Sequence, residues 1–179
     1  MSLPILRRPI LALQGAPNDA IQALLLASAR RWQGAGLRVA GIVERPDPEG
    51  ARHRLEDLAT GARYDIYREL GPGSDACKLC GSGIVAACQS VQRQILAGCD
   101  LVVLSKFGKL EAARSGLVAA FAAAIAAERP ILTAVAPIFA EAWRLFSDPL
   151  SAVAGPSEAA IEAWRAALET AEQDTPPAP

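Results

Sequence analysis

The chain has 179 residues, of which 51% are hydrophobic and 21% are charged, and its formal net charge at pH 7 is −1. This composition excludes a disordered chain and is typical of a soluble globular protein. The 18 basic and 19 acidic residues nearly cancel, so no electrostatic feature indicates nucleic acid or an anionic membrane as a partner. We expect a single domain over residues 1–173 and a disordered tail over residues 174–179.

The first half of the chain alternates between apolar runs and segments of helical periodicity. Its predicted elements are a buried strand (8–14), a helix (18–33), a second buried strand (37–43), a loop (45–50) and a β-hairpin (54–58 with 63–67). Asn18 or Asp19 is expected to cap the first helix, because both residue types accept hydrogen bonds from helix amides.

The second half continues the same alternation. Its predicted elements are a loop (71–80), a helix (83–97), a strand (100–105), an alanine-rich helix (109–128), a strand (131–135) and two further helices (138–146 and 157–172). Strands that are apolar throughout and alternate with helices are typical of a parallel sheet covered on both faces. We therefore predict an α/β fold with a mostly parallel sheet, helices on both faces and an inserted β-hairpin.

The amino terminus does not resemble a secretory signal, since its arginines follow the first apolar residues and Pro4 and Pro9 interrupt the apolar run. The most apolar stretch, residues 117–127, is too short to span a bilayer. We expect a cytoplasmic protein with no membrane partner, in which the cysteines are reduced thiols.

Ligands of such sheets bind at the carboxyl ends of the strands, here residues 14–19, 43–46, 105–109 and 134–137. The first of these joints reads Gln14-Gly-Ala-Pro-Asn-Asp-Ala20. A phosphate-binding Walker A loop needs more glycines, a lysine and a Ser or Thr, and this joint has only Gly15. The amides at the helix start can still accept an anion, so Gly15 and Asn18 are candidate binding residues. The alternative is an ordinary capped helix start.

The densest group of polar residues follows the strand at 100–105, in Ser105-Lys-Phe-Gly-Lys-Leu-Glu111. Lys106 and Lys109 can hold an anion, and Glu111 and Arg114 lie in the next turn. We count all four as candidate ligand-binding residues. The alternative is a solvated helix start with a Glu111–Arg114 surface pair.

The loop over residues 71–80 contains a CxxC motif, Cys77 and Cys80. One such pair is compatible with a metal site, a redox pair or a mobile loop with an exposed thiol, and Cys77 is the favoured functional thiol. Cys88 and Cys99 are too far apart to share one metal if their helix is regular. Ser74, in the same loop, is a further candidate ligand-binding residue.

Two other groups of polar residues favour structural roles. His53, the one histidine of the chain, lies between arginines, which is typical of a solvent-facing strand start. Glu56 and Asp57 are adjacent on a predicted strand and point to opposite faces, so they are not expected to share a substrate.

Several segments together resemble a bacterial domain family of unknown function whose genes often lie beside molybdate-transport genes. The segments are Leu55-Glu-Asp-Leu-Ala-Thr-Gly61, Leu70-Gly-Pro-Gly-Ser74 with Cys77, Ser105-Lys-Phe-Gly-Lys-Leu-Glu-Ala112, Leu132-Thr-Ala-Val135 and Ala142-Trp143. The resemblance covers residues 9–164. That family is in turn distantly similar to small P-loop nucleoside-triphosphatases, which implies a P-loop-NTPase-like three-layer sandwich.

The resemblance implies that two catalytic parts are missing. The Walker A lysine is absent, and Ser105 stands where those enzymes carry the Walker B carboxylate. Phosphoryl transfer depends on positioning and charge neutralisation, so the chain is not expected to be an NTPase. The neighbouring genes imply, by association, a role in molybdenum handling.

Three functions remain open at this point. The favoured one is a non-catalytic protein that binds molybdate, a related oxyanion or a metal cofactor, with the 71–80 loop closing over it and Cys77 as a soft ligand. The second is a nucleotide-binding, NTPase-like enzyme with a degenerate phosphate loop. The third is an interaction module for a transporter or a molybdenum-related metalloenzyme. An oligomer is possible in each case.

Overall fold

The computed structural model of the chain describes residues 8–48, 53–68, 78–79 and 81–173. Its strands are β1 (Ile10–Leu13), β2 (Val39–Pro46), β3 (His53–Asp57), β4 (Arg63–Asp65), β5 (Tyr67–Arg68), β6 (Lys78–Leu79), β7 (Leu101–Leu104), β8 (Ile131–Ala134) and β9 (Ser151–Ala154). Its α-helices are α1 (Asn18–Gly34), α2 (Gly81–Ala97), α3 (Lys109–Ala112), α4 (Val118–Ala126), α5 (Ala140–Ser147) and α6 (Glu158–Gln173), with a 3₁₀ turn at Pro137–Phe139.

Seven of these strands form one sheet in the order β4-β3-β2-β7-β8-β1-β9. The five strands from β2 to β9 in this order run parallel, and β3 and β4 add an antiparallel hairpin at the β2 edge. Strands β5 and β6 pair with each other in a separate two-stranded sheet. The predicted α/β fold with an inserted hairpin is confirmed.

Helices cover both faces of the sheet because the central strands β1, β7 and β8 are mostly apolar and are buried along their whole length, as is most of β2. On one face, residues of α2, α4 and α5 pack on the sheet in a cluster that contains Ile84, Phe121 and Trp143. On the other face, α1 and α6 pack through Leu25 and Ile161, among others. The arrangement is therefore a three-layer sandwich. None of the helices within the described residues is long and apolar enough to cross a membrane.

The predicted helix over residues 109–128 is wrong, because the chain breaks it into α3 and α4. Arg114 and Gly116 both have positive φ angles, of 62° and 63°, which an α-helix does not allow. A Cβ atom at position 116 would collide with the Glu111 carboxylate. The close approach of Glu111 therefore requires glycine at the break.

Four other local predictions also differ from the structure. The loop predicted over residues 71–80 contains strand β6, which pairs with β5. β2 continues through Arg45 and Pro46, predicted as loop, because both residues pair with β3. Strand β9 was not predicted, and its sequence Ser-Ala-Val-Ala carries little β-propensity; it pairs with β1. The first helix follows Pro17 and has no side-chain cap, so the capping roles expected of Asn18 and Asp19 are wrong. The predicted tail over residues 174–179 lies outside the described residues.

The hairpin is attached to α2 by the buried carboxylate of Asp57, which is 0% exposed. Its Oδ2 accepts hydrogen bonds from Ser90 Oγ at 2.8 Å and from Gln94 Nε2 at 2.6 Å. Its Oδ1 accepts from the backbone amides of Ala59 and Thr60 in the hairpin turn. This carboxylate therefore fixes both the turn and the position of the hairpin over the sheet edge.

We expect Asp57→Asn to lower the free energy of unfolding by about 1–3 kcal/mol, because an amide cannot accept at both positions and leaves buried donors unpaired. Urea denaturation measures the change. The matched control is Asp65→Asn on β4, where the carboxylate is 71% exposed in its pair with Arg54, and a change below about 0.5 kcal/mol is expected. Equal losses in the two variants would contradict the role given to Asp57.

Candidate functional site

Two clefts lie at the carboxyl edge of the sheet, where β1, β2, β7 and β8 end. The large cleft, about 500 Å³, lies over the ends of β2 and β7 and extends to β3 and α2. The small cleft, about 410 Å³, lies between Gly15–Asn18 and residues 134–137. Asn18 and Lys106 line both clefts, so they mark the place where the two meet.

An ion pair between Glu44 and Lys106 occupies this junction. Glu44, near the end of β2, is 6% exposed, and its Oε1 lies 2.7 Å from Lys106 Nζ. Its Oε2 accepts a hydrogen bond from Asn18 Nδ2 at 2.9 Å. Because the carboxylate is buried, these two partners offset the cost of removing it from water.

Gln22 of α1 forms hydrogen bonds with the backbone on both sides of the junction. Its Nε2 donates to the Ser105 carbonyl at 2.7 Å, and its Oε1 accepts from the Glu44 amide at 2.9 Å. Gln22 and Ser105 are both buried. One amide side chain thus ties α1 to the ends of β2 and β7, and it fixes the backbone that carries Glu44 and Lys106.

The two candidate lysines are in different situations. Lys106 is paired with Glu44, whereas Lys109, the first residue of α3, is exposed and has no ion-pair partner among the described residues. Lys109 lines the large cleft only. Both lysines therefore line the large cleft, and Lys106 lines the small cleft as well.

Glu111 is buried, so the alternative interpretation, a surface pair with Arg114, is wrong. Its carboxylate accepts hydrogen bonds from the amide of Gly108 at 3.0 Å and from the amide of Leu117 at 2.9 Å. Although Glu111 lines the large cleft, this bonding makes it the residue that shapes the turn between β7 and α4. Arg114 is exposed and does not belong to the described lining of either cleft.

The start of α1 is open towards the small cleft. The first intrahelical bond runs from the Ile21 amide to the Pro17 carbonyl, so the amides before it have no partner within the helix. Gly15 precedes the helix with φ of 109°, a conformation that favours glycine. These amides and the positive end of the helix dipole favour negative charge.

His53 and Asp19 form a pair at the rim of the large cleft. His53 Nε2 lies 2.9 Å from Asp19 Oδ1, and the histidine side chain is only 28% exposed. His53 lies at the start of β3 as predicted, but it contacts α1 and lines the cleft rather than facing solvent. The pair connects the hairpin to the first turn of α1.

The described residues include two of the four cysteines, Cys88 and Cys99. Ser74, Cys77 and Cys80 lie outside the described residues. Cys88 and Cys99 are buried free thiols, and burial raises the pKa of each. Both are therefore protonated thiols at neutral pH rather than reactive thiolates. Within the described part of the chain, no three His, Cys, Asp or Glu residues are grouped as metal ligands.

Sequence reasoning selected Gly15, Asn18, Lys106 and Lys109, which line the clefts, but it missed Glu44 and Gln22. Glu44 lies in the predicted rim segment 43–46, and a carboxylate directly after an apolar strand was the available signal. Gln22 gave no such signal, because a glutamine in the second turn of a helix is ordinarily solvated.

Comparison with solved structures identifies the fold. The human cancer-related nucleoside triphosphatase aligns with a TM-score of 0.60 and 16% identity, over 95% of this chain and 100% of that one. THEP1 from Aquifex aeolicus aligns with a TM-score of 0.59 and 12% identity, over 90% of this chain and 98% of that one. At these identities the likeness shows the fold alone, which is that of the P-loop NTPases.

Comparison with known sequences identifies the family. A Bradyrhizobium diazoefficiens protein named Molybdenum import ATP-binding protein ModC 2 is 38% identical over 152 residues, 83% of this chain and 17% of that protein. The chain therefore spans about a sixth of the length of this relative. A family described as "Protein of unknown function (DUF2478)" matches residues 10–164. Since this match covers most of the sequence, the chain belongs to the DUF2478 family.

Proposed function

We propose that this chain is a non-catalytic binding protein for a tetrahedral oxyanion such as molybdate or phosphate, and that it acts in molybdenum handling. One observation carries the proposal: Lys106 lines both clefts and shares the small cleft with the uncapped start of α1. Ammonium groups and the free amides of a helix start both bind oxyanions.

The charge at the junction is balanced in the absence of a ligand. Glu44 neutralises Lys106 across 2.7 Å, so an incoming anion competes with Glu44 for the same ammonium group. Lys109 adds a second positive charge at the large cleft. We infer that the anion lies on the side of Lys106 that faces the start of α1, where the helix dipole adds to the attraction.

Two features favour binding without catalysis. The joint between β1 and α1 lacks a lysine, so we interpret it as a degenerate Walker A loop. Ser105 and Lys106 directly follow β7, where P-loop NTPases place the aspartate that holds Mg²⁺. Phosphoryl transfer needs both the cation and the metal, so a chain with neither in place can bind an anion without breaking a phosphoanhydride bond.

The molybdenum part of the proposal is supported by the relative that is 38% identical, whose name describes a molybdenum import ATP-binding protein. In that protein, a segment like this chain is joined to a much longer polypeptide. Two segments within one polypeptide usually serve one process. On this basis we expect a molybdenum-related protein as the partner, alongside a small anionic ligand.

A second candidate is a nucleotide-binding enzyme with an unusual metal site. The Glu44 carboxylate favours it, because this group lies at the carboxyl edge beside Ser105 and could take the place of the missing aspartate. The fold likeness to nucleoside triphosphatases is compatible with the same function. Glu44 is already bonded to Lys106 and Asn18, however, so a metal would have to displace both.

We expect changes at the two partners of the ion pair to shift oxyanion affinity in opposite directions. Lys106→Met removes the ammonium group and should weaken molybdate or phosphate binding about tenfold or more, or 1.4 kcal/mol. Glu44→Gln removes the competing carboxylate and should strengthen it by about three- to tenfold. Isothermal titration calorimetry with each anion measures both effects.

The controls separate charge from misfolding. The double variant Glu44→Gln/Lys106→Met leaves no unpaired buried charge and should bind as weakly as Lys106→Met alone. Arg38→Ala removes one positive charge before β2, at the opposite edge of the sheet, and should leave affinity unchanged. If Glu44→Gln and Lys106→Met change affinity in the same direction, the assigned site is wrong.

We expect the purified chain to hydrolyse neither ATP nor GTP above the uncatalysed rate in the presence of Mg²⁺, because it lacks the lysine and the aspartate of the P-loop enzymes. Phosphate release measured over hours, with and without chelator, tests this. ATP or GTP hydrolysis that needs Mg²⁺ and disappears in Glu44→Gln would contradict the non-catalytic proposal. It would support the second candidate, the nucleotide-binding enzyme.

A further inference from the structure

The large cleft has an apolar wall that a bare oxyanion cannot use. Buried side chains from β3, α2 and the neighbouring loops line it, together with two half-buried ones: Leu55, Ile66, Ile84, Leu110, Leu117 and Phe139. An inorganic oxyanion is recognised by hydrogen bonds and charge, and it gains nothing from contact with such side chains. The wall therefore fits an organic group.

The size of the large cleft leads to the same conclusion. Its volume of about 500 Å³ falls within the range of roughly 300–1,000 Å³ that is typical of sites for small organic ligands. Such sites combine a mostly apolar wall with a few polar groups that fix the orientation of the ligand. Here the polar groups Asn18, Glu44 and Lys106 contact one another where the two clefts meet.

We propose that the large cleft binds the planar organic part of an oxyanion ester, such as an aryl phosphate, whose charged end lies against Lys106. This inference rests on the proposed function, because it assumes the oxyanion site at Lys106. Charge complementarity sets the orientation. Lys106 attracts the anionic end where the two clefts meet, and the apolar side chains of the large cleft, from Leu55 to Phe139, contact the ring. The oxyanion is then the charged end of an organic ligand, and inorganic molybdate or phosphate binds the same Lys106 site more weakly.

Calorimetry on the full chain with three probes tests this proposal. The probes are inorganic phosphate, which carries only the charge, phenol, which carries only the ring, and phenyl phosphate, which carries both. We expect phenyl phosphate to bind at least tenfold more tightly than inorganic phosphate. Phe139→Ala should remove most of this advantage and leave inorganic phosphate affinity unchanged, because Phe139 lines the large cleft and is not part of the described lining of the small one. Leu110→Ala, on the other half-buried side chain, is the second variant if Phe139→Ala fails to fold.

The control is Leu145→Ala, which removes an exposed apolar side chain outside the described lining of the cleft and should change neither affinity. If both phosphates bind equally and Phe139→Ala changes neither, the aryl site is wrong and the proposed oxyanion function stands. If phenol binds and inorganic phosphate does not, the proposed oxyanion function is wrong. The proposal of a ligand that carries both an aryl group and an oxyanion is then wrong as well. If no probe binds, both are wrong.

Discussion

The arrangement of the carboxyl edge depends on the ion pair between the buried Glu44 carboxylate and the half-exposed Lys106 ammonium group. Taking a carboxylate out of water is costly, and the attraction of an ammonium group offsets that cost only where further hydrogen bonds satisfy the remaining carboxylate atoms. Asn18 supplies one of these bonds, and Gln22 fixes the backbone on either side. Three elements, α1, β2 and β7, are thereby held in one relative position. The two clefts are a consequence of that position.

In the proposed function, the same pair sets the response of the site to ligands. An incoming anion competes with the Glu44 carboxylate for the Lys106 ammonium group. Under this proposal, affinity depends on the charges at residues 44 and 106. The hydrogen bonds that Glu111 accepts come from the backbone amides of Gly108 and Leu117, so this carboxylate shapes the turn and is not part of the proposed competition.

The alternation of the central strands with helices could be predicted from the sequence because apolar runs and helical periodicity both follow from burial. Lys106 and Lys109 could be predicted as well, since the carboxyl ends of parallel strands meet at one edge. The pairing of Lys106 with Glu44 could not be, because those residues lie far apart in the chain and only the order of β2 and β7 brings them together. The break at Arg114 to Gly116 was hidden by a run of alanines with high helix propensity. The break depends on the Glu111 carboxylate, which accepts hydrogen bonds from the amides of Gly108 and Leu117.

The most direct test of this account is to locate a bound anion. Crystals of the chain grown with molybdate and measured at the molybdenum absorption edge would show the metal by anomalous scattering. The account predicts a peak at the junction of the two clefts, with molybdate oxygens within hydrogen-bonding distance of Lys106 Nζ and of the first amides of α1. A structure in which Lys106 still pairs with Glu44, while the anomalous peaks lie only elsewhere on the surface, would contradict it.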